Sequence, residues 1–169
     1  AATVVAVGDM DPEAMADRIA DALGGWSATA MPLPVAPPVA ARAERTLIVK
    51  SMPDKAQADI AYGFVGLTRL DPDYYPALVM NNALGQYALG GRLGDSIRER
   101  QGMAYYVYSA MDAALQPGPL AVRAGVAAGN VERTIASIDH ELTAVLTDGF
   151  TPAEVDDAKR YLVGSLPRQ

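Results

Sequence analysis

The sequence predicts an α+β fold, with an antiparallel or mixed sheet and helices on one side. Three observations lead there. After residue 42 the strand and helix signals run strand, strand, helix, helix, strand, strand, helix, helix. Paired strands alternating with paired helices build an α+β layer, whereas a parallel doubly wound fold alternates singly. Half of the 169 residues are hydrophobic and a fifth are charged, which is enough apolar material for a core. A stretch holding four prolines, residues 28–41, interrupts both kinds of periodicity and reads as a linker.

The elements follow in chain order. Residues 3–7, "TVVAV", read as a buried strand. Asp11 is a good N-cap, Pro12 suits the first helical position, and Glu13 favours the positive helix end. Ala16, Ile19, Ala20 and Leu23 then recur at helical spacing until Gly24 and Gly25 stop the helix. Beyond the linker, "RTLIVKS" (45–51) reads as a strand. "QADIAYGFVG" (57–66) is a second, with Ala58, Ile60, Tyr62 and Phe64 on one face. Asp71 and Pro72 open a helix whose expected inner face is Tyr75, Leu78, Val79, Asn82 and Ala83. Gly90 and Gly91 break the chain before a short helix over 92–101 with Leu93 and Ile97 inward. "MAYYVYSAM" and "PLAVRAGVAA" alternate as strands. A long helix from Asn130 turns Val131, Ile135, Ile138, Leu142, Val145 and Leu146 inward. The last helix opens on the capping box of Thr151 and Glu154 and turns Val155, Ala158, Leu162 and Val163 inward.

Composition excludes several functions. A net charge of −6 argues against a nucleic-acid binder, which needs a basic stripe. No apolar run is long enough to predict a membrane span. With no cysteine there is neither a disulfide nor a thiolate metal site. The one histidine, His140, cannot alone build a two-histidine zinc site, and it reads as a surface residue. "LGGRLG" lacks the Lys-Ser/Thr of a phosphate loop, and "DPDYY" lacks the oxygen spacing of a calcium loop. Tyr74, Tyr75, Tyr106 and Tyr108 read as ordinary strand and helix packing, the alternative being an aromatic surface for a peptide or a partner. The chain opens without methionine, directly on a strand signal, and reads as a piece of a longer protein.

Four segments carry a resemblance: "VVAVGDMDPEAMADRIADALGGW", "IAYGFVGLTRLDPDYYPALVMNNALG", "GGRLGDSIRERQGMAYYVYSA" and "GFTPAEVDDAKRYLVGSLP". In this order they resemble the pitrilysin, insulinase and mitochondrial processing peptidase family of zinc metallopeptidases. The resemblance implies that residues 1–27 are the last strand and helix of a first domain. Residues 28–41 would be a linker, and residues 42–169 a similar second domain, incomplete at its C-terminal end. It also implies a zinc endopeptidase that encloses peptides or unfolded proteins in a chamber, this piece forming one wall. The family's zinc motif, His-x-x-Glu-His, is absent here. No cofactor is therefore expected in this piece, which alone should be inactive. Zinc is expected in the complete enzyme, on a half that lies on the same chain or on another subunit. The alternative is a non-catalytic structural or peptide-binding relative. A soluble protein of the bacterial cytoplasm or periplasm is the expectation for compartment.

The resemblance further implies a site. In the family an arginine and a tyrosine seven residues apart point from the wall toward the substrate, and Arg98 and Tyr105 have that spacing. The guanidinium fork would hold a substrate carbonyl or carboxylate. The phenol would stabilise the oxyanion that develops on the attacked carbonyl. Against this stands a plain packing alternative. Arg98 is then a solvated helix charge, and Tyr105 shares a strand face with Met103 and Val107 in the core.

Overall fold

The computed structural model describes residues 3–26, 37, 39–40, 42–86 and 90–166. The chain divides into two compact units, Ala1–Ala36 and Pro37–Gln169. Most of the expected linker, 28–41, lies outside the described residues, as does the expected end of the helix beyond Gln86.

In the first unit α1 spans Pro12–Leu23. Asp11 Oδ1 accepts from the Glu13 and Ala14 amides at 2.9 and 3.0 Å, which satisfies two of the orphan donors of the first turn. Residues 3–7 differ from expectation. They form no ladder, and Val5 and Val7 are 78% and 90% exposed. A β-branched run meets the local requirement for a strand, but a strand also needs a partner, and no described residue pairs with this one.

The second unit holds a three-stranded antiparallel sheet of β1 (Gln57–Val65), β2 (Ala104–Met111) and β3 (Pro119–Ala127), in the order β1-β3-β2. Three helical stretches pack on it: α2 (Tyr74–Asn81) with a π-helical turn after it (Asn82–Gln86), a π-helix (Gly94–Arg100) and α3 (Val131–Asp148); α4 (Pro152–Ser165) packs on α2 and on the turn that follows it. Inward residues of the sheet, Val107, Val122, Ala124 and Val126, meet Leu84, Leu93, Ile97 and Ile138 from the helices. Leu93, Ile97 and Ile138 are fully buried. Removing one such side chain to alanine costs about 2–5 kcal/mol. The fold is therefore α+β, as expected, with its helices on one face of the sheet.

Three expectations fail locally. Residues 45–50 join no ladder, and Leu47, Ile48 and Val49 are exposed, so "RTLIVKS" is no ladder strand. Tyr74 is the ring that α2 buries, while Tyr75 is 70% exposed. The helix starts two residues later than Asp71 and Pro72 suggest: Asp73 is the N-cap residue, and Asp71 accepts from its amide at 2.9 Å. Leu146 and Val163, near the helix ends, face outward for want of a neighbour there. Among the described residues no helix is long and apolar enough to cross a membrane.

Candidate functional site

Arg98 and Tyr105 sit on either side of one turn. Arg98 belongs to the π-helix Gly94–Arg100, and Tyr105 is the second residue of β2. Gly102 makes the turn with φ of 61°, in the left-handed region that favours glycine. Its amide donates to the Arg98 carbonyl at 3.0 Å, and the Met103 amide donates to the Ile97 carbonyl at 3.1 Å. Ile97 and Met103 are only 0% and 5% exposed, so the turn is anchored in the core on both sides. π-helical segments are rare and tend to occur at functional sites.

Tyr105 is 82% exposed, which rules out the core alternative for its ring. The cause lies in the register. Ala104 pairs with Val126 and Tyr106 with Gly125, so Tyr105 has no partner on β3. It is the extra residue of a β-bulge. In a regular strand Tyr105 would share a face with Val107. The bulge sets Ala104 and Val107, both buried, on the inner face instead and turns Tyr105 out.

The Arg98 side chain is 30% exposed. Its Nη1 lies 3.2 Å from Glu99 Oε1, yet the angle is not that of a hydrogen bond, and Nη1 is buried without a hydrogen-bond partner. Glu99 is itself 60% exposed and well solvated. The distance records a proximity of charges and leaves a donor of the fork unused. A desolvated guanidinium donor without an acceptor is costly, and a ligand oxygen would relieve that cost.

Two polar arrangements around the turn were not evident in the sequence. Arg92 Nε and Nη2 hold Glu154 at 2.8 Å each; Nη2 also donates to the Gly149 carbonyl at 3.1 Å, and the guanidinium lies over the Phe150 ring. This bidentate pair, with Thr151 completing the cap, holds the Glu154 carboxyl down at about 2. The second is on the outer face of the sheet. Tyr106 donates to Asp59 Oδ1 at 2.8 Å, and Lys55 pairs with the same carboxylate. Lys55 and then Tyr106 lower the Asp59 carboxyl, while the Tyr106 phenol is raised by its bond to Asp59.

Metal binding does not fit these residues. Among the described residues no group of three or more His, Cys, Asp and Glu side chains could hold an ion, and His140 stands exposed on α3. The remaining candidate tyrosines divide: Tyr74 is buried, Tyr75 is exposed, and Tyr106 and Tyr108 lie side by side with centroids 5.9 Å apart.

An antiparallel sheet with helices packed on one face defines an α+β domain. The family described as "Peptidase M16 inactive domain" matches residues 1–162, and the chain belongs to it. Its relatives include a Bacillus subtilis protein described as an uncharacterized zinc protease. That protein is 33% identical over 110 residues, which cover 65% of this chain and 27% of the relative. A Streptomyces coelicolor protein of the same description is 33% identical over 138 residues, 78% of this chain and 30% of the relative. The chain thus spans less than a third of the length of these relatives. A solved structure described as a peptidase M16 inactive domain from Pseudomonas fluorescens superposes with a TM-score of 0.64 at 33% identity, covering 67% of this chain and 27% of that one. A conserved protein from Enterococcus faecalis shares the fold with a TM-score of 0.59 at 22% identity.

Proposed function

We propose that this chain forms part of a zinc metalloendopeptidase of the M16 family, as a wall of a closed chamber in which peptides or unfolded proteins are cleaved. In this reading residues 1–27 are the last strand and helix of a preceding similar domain, and residues 42–169 belong to a second domain. Zinc belongs to a different half of the enzyme, on the same polypeptide or on a partner subunit. The described residues offer it no ligand cluster.

Tyr105 and Arg98 are the residues this chain offers to the peptide. The Tyr105 phenol donates to the carbonyl oxygen that gains negative charge in the transition state. The Arg98 fork donates to a neighbouring carbonyl, or in bidentate fashion to a terminal carboxylate. The observation that supports this most is the bulge, which spends a ladder position to place an aromatic ring at 82% exposure. Packing alone gives no reason for such an arrangement.

Tyr105→Phe in the full-length enzyme tests the reading, because it deletes only the hydroxyl. Turnover on a peptide substrate is expected to fall on the order of 10²–10³ with zinc content unchanged. Unchanged turnover removes the catalytic role and leaves the alternative, a non-catalytic wall or peptide-binding surface.

A further inference from the structure

Tyr105 faces outward only while the bulge persists, and a bulge in a flanking strand can relax into a regular one. The residue after it bears on this. Tyr106, Gly125 and Asp59 form one cross-strand row: Gly125 of β3 pairs with Tyr106 on one side and with Asp59 on the other. The row lies on the outer face, since Ala58, Ile60 and Val107 belong to the core side. Strands two apart are separated by roughly 9–10 Å, so Tyr106 reaches Asp59 only by laying its ring across β3. It does so, and its hydroxyl donates to Asp59 Oδ1 at 2.8 Å. The ring occupies the space above Gly125. A Cβ there would lie 2.8 Å from Tyr106 Cδ1, closer still to Cε1, and against Gln57 Nε2 as well. Glycine at 125 is therefore required by the ring rather than by its backbone angles.

We infer that Tyr106, Gly125 and Asp59 form a lock across the three strands that pins the chain immediately after the bulge and so aims Tyr105. They are positioning residues: none needs to touch the substrate. The inference rests on the role proposed for Tyr105. Lys55 pairs with Asp59 from outside and Gln57 Nε2 donates to it at 3.2 Å, so the acceptor end of the lock is itself held. Without the lock, the regular strand becomes accessible. There Tyr105 returns to the face of Val107, and its hydroxyl leaves the outer surface.

The test is a double-mutant cycle in the full-length enzyme. Tyr106→Phe removes one oxygen from a partly exposed ring, so folding is kept. Misplacing a catalytic group by a fraction of its length costs about tenfold or more in kcat. Tyr106→Phe and Asp59→Ala are expected to lower kcat by about that factor with KM nearly unchanged. Asp59→Asn keeps an acceptor oxygen and is expected to retain most of the rate. In the Tyr105→Phe background, Tyr106→Phe should cost nothing further. A similar fall in both backgrounds, or no fall where Tyr105→Phe alone is impaired, overturns the lock. A second readout needs no activity. Nitration of Tyr105 by tetranitromethane, followed by peptide mass spectrometry, reports its exposure. Gly125→Ala, which displaces the Tyr106 ring, is expected to slow Tyr105 nitration several-fold; an unchanged rate overturns the lock. Should Tyr105→Phe leave turnover intact, the catalytic role fails, and nitration still decides the geometry.

Discussion

At the scale of single residues the stability and activity of Tyr105 separate. A core tyrosine truncated to alanine loses about 3–5 kcal/mol, by analogy with phenylalanine. An 82% exposed ring has no such packing to lose. Tyr105→Ala is expected to change unfolding free energy by no more than about 0.5 kcal/mol in a denaturant titration. A loss near the core value would return the ring to the interior. The spacing of Arg98 and Tyr105 is legible in the sequence; the exposure of Tyr105 is not. Period-two reading assumes an unbroken ladder, and it assigns residue 105 to the face of 107. One weak signal was available: Ala104 and Val107 are apolar and three apart, a spacing that only an inserted residue places on one face of a strand. Alanine is too small and too common for that signal to stand out.

At the scale of elements the Arg92–Glu154 clamp joins the chain before the π-helix to the first turn of α4. The capping box of Thr151 and Glu154 can be read locally, because its partners are three residues apart. The arginine is 62 residues away, and only the tertiary fold brings it in. Glu154 therefore serves two partners, and its carboxyl is held down to about 2 by Arg92 first, against the opposing effect of burial. The sign follows. A carboxyl depressed in the folded state stabilises fully above its ordinary value near 4.5, and that contribution is lost as pH falls toward about 2. Glu154→Gln leaves Arg92, whose side chain is 15% exposed, without its counter-ion. It is expected to destabilise by about 2–4 kcal/mol at pH 7. The gap to the parent protein should narrow by about 2 kcal/mol at pH 3, measured by urea unfolding at both values. A gap independent of pH would mean that the pair contributes through packing alone.

At the scale of the whole molecule the two units differ in what holds them. The second unit has a continuous core in which Leu93, Ile97, Ala124 and Ile138 are fully buried. α1 buries no residue, and Leu23 at its end is 41% exposed. The residues that precede it make no ladder. The helix signal itself was easy to read, since cap, proline and periodicity are local. What the periodicity could not show is whether its apolar face finds a partner. An isolated helix of this length is marginal in water, because nucleation is costly and each further residue adds little. Within the first unit its amides are protected by capping from Asp11 and by intrinsic propensity. Those of β3, paired on both sides, open only with the sheet. Hydrogen exchange at peptide resolution is therefore expected to separate the two. Residues 12–23 should exchange orders of magnitude faster than residues 119–127, at a rate insensitive to low concentrations of denaturant. Exchange over 119–127 should accelerate with denaturant in parallel with global unfolding. Residues 45–50, which join no ladder, are expected to exchange with the fast group despite their strand-like composition. Protection of α1 equal to that of β3 would show that its apolar face is covered.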